Sequence, residues 1–371
     1  MTTIAFTGDI AFSKYFSGYW EKDFMSADIY KYLNEADHVV ANVECPLTAT
    51  KISSTLEITH SCPPEAGTWL KSINADIWTI SNNHVLDCGE VGLKDTIDIA
   101  KQNGAITVGA GINSNEAEKY ISLDCEGGIG IYSVTYKRGE FIRATKTSPG
   151  CVLFDEPKKV KKIIRAIKKK HKWCVLIAHG GDEFCNLPLP YIKRLYKKYL
   201  KFGADVVVGH HPHVVQNYEK VGNKIIFYSL GNFIFDTDYQ RKQKYSEYGI
   251  LLKLKFDNEK LSWDYLATKV NRQNQTVETS LAPAIFKEVS KKDYKLLWPL
   301  SAKKFCENFI VGKKFVIPKT RNYNAFNWFN FHRKKSFVSA IETYFGKFLY
   351  RFGCWKKGDE ELKNYLEQNK K

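Results

Sequence analysis

The chain has 371 residues, 44% of them apolar and 14% aromatic, which is enough to bury one large core or two ordinary ones and excludes a mostly disordered protein. No stretch approaches the ~18 uninterrupted apolar residues of a membrane span, and the opening "MTTIAFTGDI" lacks the basic and apolar regions of a signal peptide. The net charge of +16 is uneven, because residues 284–371 hold about 20 Lys and Arg against about 8 Asp and Glu.

Short apolar runs alternate with amphipathic stretches in the rhythm of an α/β protein. In chain order, "TIAFTGD", "HVVANVE", "DIWTISNNH", "ITVGAG", "IGIYSV", "WCVLIAHGG", "DVVVGHHPH" and "KIIFYSLGNF" read as strands. Helices are expected over residues 26–36, 64–74, 91–103, 157–170 and 191–202. "YGILLKLKF" and "KLSWDYLATKV" then form an antiparallel hairpin, turning at Asp257, Asn258 and Glu259. The 9 cysteines lack C-x-x-C pairs and read as reduced thiols of a cytoplasmic protein.

Polar residues fall at the strand ends: Asp9 on the first, Asn42 and Glu44 on the second, Asn82, Asn83 and His84 on the third, His179 later, then His210, His211 and His213. In an open α/β sheet the carboxyl ends of strands share one edge, where ligands bind. Imidazoles mixed with carboxylate and amide oxygens suit one or two divalent ions of Mn, Fe or Zn. Any one of these histidines alone reads equally well as a packing or surface residue, so the joint placement carries the signal.

"FTGDI", "ANVECPLT", "ISNNHVLDCG", "AHGGDEFCNLPLP", "GHHPHVVQ" and "YSLGNFIFD" occur in the order and approximate spacing of the CapA-like capsule-synthesis proteins, associated with poly-γ-glutamate, which the chain resembles over residues 3–270. That family in turn resembles the calcineurin-like metallophosphoesterases. The resemblance implies a four-layer α/β/β/α metallophosphatase-like sandwich over residues 1–270; composition sets off a basic, aromatic extension over 271–371, expected to be helical.

Carried over residue by residue, it makes Asp9, Glu44, Asn83, His179, His211 and His213 metal ligands, with Glu44 at the position that bridges two ions. His84 becomes the general acid or oxyanion-steadying group. Glu183 matches an acidic position that places a substrate amine, orders water or orients a histidine; read without the resemblance it is a charged loop residue. His211 and His213 would leave an extended segment on one face, making His210 a supporting group or an alternative to His211 by register. Asn232 could place an amide near the site or end its strand in an Asx turn, and Asn42 and Asn82 read either as site residues or as turn-formers; all three stand outside the core assignment.

The chain departs from the phosphoesterase pattern twice. Ala11 stands where D-x-H supplies a histidine, so one metal is missing, weakly held or served by another residue; Asp9 also reads as a simple turn cap. Gly180 follows His179 where many relatives have tryptophan.

The implied function is metal-dependent hydrolysis or transfer in biosynthesis or processing of a bacterial capsule or other cell-surface polymer. A phosphoesterase acting on a small or polymeric phosphate, and a non-catalytic polymer-binding or assembly subunit, stay open beside it. An anionic polymer or peptide is the expected substrate partner, and no specific nucleic acid is expected. The basic aromatic extension, with a helix over 336–352, suits peripheral contact with the inner face of a membrane, or else packs on the body with its lysines in water.

Overall fold

The computed structural model describes residues 1–298 apart from 13, 52–58, 126 and 137–141. In chain order its strands are β1 (Thr2–Ile10), β2 (His38–Val43), β3 (Ile77–Thr79), β4 (Ile106–Val108), β5 (Ala110–Gly111), β6 (Ile121–Leu123), β7 (Ile129–Thr135), β8 (Gly150–Cys151), β9 (Trp173–His179), β10 (Val206–His210), β11 (Tyr218–Val221), β12 (Lys224–Phe227), β13 (Asn232–Ile234), β14 (Tyr248–Phe256), β15 (Leu261–Asn271) and β16 (Thr276–Thr279). The helices are α1 (Ala27–Asn34), α2 (Ala66–Ser72), α3 (Gly89–Gln102), α4 (Ser114–Ala117), α5 (Pro157–Lys170), α6 (Pro190–Phe202) and α7 (Asp238–Arg241).

Two large sheets result. One runs β16-β15-β14-β1-β2-β3-β4 with β13 also paired to β1; the other runs β11-β12-β10-β9-β7-β6. Strands β1 to β4 are mutually parallel, as are β7, β9, β10 and β12, while the β14–β15 hairpin closes the first sheet antiparallel. Its turn forms where expected, with Asp257 Oδ1 accepting from the Glu259 and Lys260 amides. A third antiparallel strand, β16, carries the sheet on to Thr279.

Alternation along the first sheet sets the layers. Ile4, Phe6, Val40, Ile77 and Val108 point to the second sheet, and pack with Ile131, Val175, Ile177 and Val207. Ala5, Val39, Ala41 and Trp78 point the other way, onto Ile29 and Leu33 of α1, Trp69 and Leu70 of α2, and Leu93 and Ala100 of α3. Helix α5 covers the outer face of the second sheet with Val160, Ile163, Ile164 and Ile167, a stripe at helical spacing, and α6 lies beside it. The order is α/β/β/α, as the resemblance implied.

One expected strand divides. "KIIFYSLGNF" is β12 in the second sheet and β13 in the first, because the chain crosses between sheets at Gly231, whose φ of 70° belongs to the left-handed region. A Cβ there would meet Tyr248 O at 2.6 Å. Among the described residues no helix is long and apolar enough to cross a membrane. The basic aromatic segment at 299–371, with its expected helix, lies outside the described residues.

Candidate metal centre

Register brings the strand ends level. Asp9 pairs with Asn42 across β1–β2 and with Asn232 across β1–β13, while His179 pairs with His210 across β9–β10. The two rows face each other where the sheets meet, and Asp9, Asn42, Glu44 and His179 are all wholly buried.

Asp9 is held by its neighbours. Its Oδ1 accepts from Asn42 Nδ2 at 2.7 Å and lies 3.0 Å from His210 Nδ1; its Oδ2 accepts from the His211 amide at 3.3 Å and lies 3.2 Å from His213 Nδ1. Burial alone would raise its pKa, but the bonds from His210 and His213 outweigh burial and keep the carboxyl well below the usual range. A turn cap would bond local amides, so Asp9 is not one.

Glu44 is the opposite case. Its Oε1 stands 3.3 Å from His179 Nε2 and 3.6 Å from His213 Nε2, yet neither carboxylate oxygen forms a proper hydrogen bond. Burial therefore drives its pKa well above the usual range, with His213 opposing and Asp9 and Glu183 adding to the rise. An unmatched buried carboxylate is costly unless a cation meets it.

The histidines complete the set. Burial pulls His179 down to about 3 despite the attraction of Asp9, and takes His211 well below its ordinary value, so both are neutral as metal ligands must be. His179 Nε2 lies 2.9 Å from Asn83 Oδ1, and His211 Nδ1 has no hydrogen-bond partner. Burial opposes the charged form of His213, but Glu44 and Asp9 hold its pKa up at about 10. Among the described residues, three groups of candidate ligand atoms each lie within 4.8 Å of one another: Asp9, Glu44 and His213; Glu44, His179 and His211; Glu183, His211 and His213. Glu44 belongs to two of them. The orphaned Glu44 oxygens beside the neutral imidazoles of His179 and His211 fit a divalent ion, and a cation at the His213 groups would take the place of the His213 proton.

The expected extended segment at 211–213 is not extended. β10 ends at His210, and His211 and His213 take φ of 94° and 55° in the turn that follows. Such positions cost non-glycine residues about 1–3 kcal/mol and persist where their surroundings over-determine them. Here the Phe184 amide donates to Pro212 O at 2.8 Å, tying this turn to the loop that carries Glu183. His210 Nδ1 lies 3.0 Å from Asp9 Oδ1, and His210 is in none of the candidate ligand groups found among the described residues.

Glu183 itself comes within ligand range of His211 and His213. Ala11 is buried and offers no ligating side chain. His84 sits beside the ligands, its Nδ1 2.7 Å from Asp87 Oδ2, with its ring 4.4 Å from that of His60. A cleft of about 620 Å³ reaches His60 and is lined in part by Phe12, Lys14, Thr48 and Lys51; none of the candidate ligands is among its lining residues.

Four further residues support the site, two of them, Asp87 and His60, unread in the sequence. Asn42 is no turn-former but a strand residue holding Asp9, and its Oδ1 is buried without a partner. Asn232 Oδ1 lies 3.0 Å from His213 Nδ1 and fixes that ring. Asp87 and His60 had no signal beyond their types. Asn82 acts both locally and across elements: its Oδ1 accepts from the His84 amide, and its Nδ2 donates to Val43 O of β2.

A model of the family "Bacterial capsule synthesis protein PGA_cap" matches residues 3–237. The chain belongs to this family. It is 35% identical over 247 residues to "PGA biosynthesis protein CapA" of Bacillus subtilis (strain 168), covering 64% of either chain. To "Capsule biosynthesis protein CapA" of Bacillus anthracis it is 30% identical over 254 residues, covering 64% of this chain and 61% of the relative. The matched part thus spans under two thirds of these relatives' own length. Among solved structures, NAD nucleotidase of Haemophilus influenzae superposes with a TM-score of 0.40 at 14% identity, covering 82% of this chain and 62% of that one. That likeness is too low to bear on the reaction.

Proposed function

We propose that the chain is a metal-dependent hydrolase or transferase that acts on a γ-glutamyl bond of a capsule or other cell-surface polymer. The observation that carries this is Glu44, wholly buried between two histidine groups with both oxygens unmatched. The relatives' roles in capsule and PGA biosynthesis support the choice of polymer.

Asp9, Glu44, Asn83, His179, His211 and His213, joined by Glu183, would hold one or two ions of Mn, Fe or Zn. A divalent ion held there supplies Lewis acidity toward water and toward a carbonyl or phosphoryl oxygen. The protein's own groups do the rest. Asn42 and His210 hold the Asp9 carboxylate in place, and Asn232 fixes the His213 ring. Asp87 at Nδ1 orients His84 so that its Nε2 can deliver a proton to the leaving nitrogen. Lys51 and His60 line a cleft suited to substrate carboxylates, while Lys14 in the same cleft is ion-paired with Asp238.

The test is a screen of metal-loaded full-length protein against γ-glutamyl peptides, poly-γ-glutamate and a panel of phosphoesters, with and without chelator. Chelator-sensitive cleavage or transfer of γ-glutamyl substrates is expected. Turnover of phosphoesters alone replaces the bond assignment, and no turnover of any substrate favours an assembly role.

A further inference from the structure

Helices α5 and α6 read "PKKVKKIIRAIKKK" and "PYIKRLYKKYLKF", with no Asp or Glu in either. Their buried stripes face the second sheet. The opposite faces carry Lys158, Lys162, Arg165 and Lys169 on α5, and Lys198 and Lys201 on α6, all exposed. These positions recur every three or four residues, so each helix presents one cationic row.

The rows are neighbours, because Lys161 of α5 and Lys198 of α6 both sit 5.6 Å from the Phe202 ring. The acids nearby are already paired: Asp205 with Lys168, Glu219 with Lys193 and Lys197, Glu156 with Lys159, and Asp155 with Arg143. Like charges one turn apart weaken a helix, so such a face is retained at a cost to stability.

Each helix crosses from the carboxyl end of one parallel strand back to the start of the next, α5 between β7 and β9 and α6 between β9 and β10. Both therefore begin at the rim where His179 and His210 stand, and run away from it. α5 alone makes a cationic track about 21 Å long.

We propose that the α5–α6 face binds a polycarboxylate chain and leads it toward the rim of the candidate metal centre. The choice of a carboxylate polymer rests on the functional reading above; the cationic track does not. Neither helix contributes a large exposed apolar side chain. An interfacial helix carries an apolar face to insert between lipids, so a membrane fits this surface less well than a soluble polyanion.

Labelled poly-γ-glutamate, titrated into full-length protein, is the probe, with vesicles of phosphatidylglycerol and phosphatidylcholine in parallel. The variant Lys162→Gln, Arg165→Gln, Lys169→Gln, Lys198→Gln is compared with one of equal charge altered on the α1–α3 side at Lys31, Lys71, Lys94 and Lys101. At about 50 mM salt, where charges are weakly screened, the track variant should bind the polymer roughly tenfold more weakly and the control less than about threefold. The corresponding Lys→Arg and Arg→Lys variant should bind as wild type does, and metal content should stay unchanged throughout. Equal losses in track and control variants overturn the proposal, as does a track variant that loses vesicle binding while keeping the polymer. Polymer binding through this face without turnover would leave the track standing and remove the hydrolase reading.

Discussion

Glu44 Oε1 lies 3.3 Å from His179 Nε2, although the first follows β2 of one sheet and the second ends β9 of the other. With no hydrogen bond to either Glu44 oxygen, this contact destabilises a metal-free protein and stabilises a loaded one. Glu44→Gln should therefore raise the melting temperature of chelator-stripped protein and lower that of loaded protein, each by about 1–3 kcal/mol in stability. Differential scanning fluorimetry with and without chelator measures both, and shifts of the same sign would show that no cation meets Glu44.

His84 is held by Asp87 and does not belong to the three candidate ligand groups. Replacing it with alanine should leave metal content intact while lowering turnover of a γ-glutamyl substrate about 10²–10⁴-fold, the usual range for a positioned general acid. Asp87→Asn should fall between this variant and wild type. Loss of metal from His84→Ala would make it a ligand.

Gly231→Ala places a Cβ against Tyr248 O at a φ of 70°, where the chain crosses between sheets. Urea unfolding should show a loss of about 2–3 kcal/mol, from left-handed backbone strain and the close contact together. Because Asn232 follows directly and fixes His213, metal affinity should fall with it.

The strands were legible because valine and isoleucine runs end in turn residues, and their alternation with helices gave an α/β class, while the α/β/β/α layering came from the family resemblance. Asp9, Glu44, Asn83 and the histidines were legible as types at strand ends. What sequence did not show depends on distant partners. The register of β1 shifts between Phe6 and Asp9, and only the level this sets against β2 turns Asn42 from a turn-former into a support for Asp9. Likewise, the conformation of His211 and His213 is imposed by packing against the Glu183 loop, which local spacing does not encode.

Away from the site, His38 Nδ1 meets Asp76 Oδ2 at 2.6 Å, and this bond raises the His38 pKa against a lesser opposing effect of burial. A histidine whose folded pKa is raised contributes stability below its unfolded value near 6.5, and that contribution is lost as pH rises through the folded value. After solvent screening it is worth no more than about 1 kcal/mol. Urea midpoints of wild type and His38→Ala should therefore converge as pH rises from 6 to 8; a constant gap would assign the difference to packing.

Metal content measures the centre most directly. Elemental analysis of full-length protein supplied with Mn, Fe and Zn should find one or two equivalents of a divalent transition metal in wild type. Glu44→Ala, His179→Ala and His211→Ala should each lose at least one equivalent while keeping the wild-type circular dichroism. Wild-type protein that takes up no metal, or variants that retain the full complement, would contradict a metal centre at this edge of the sheets.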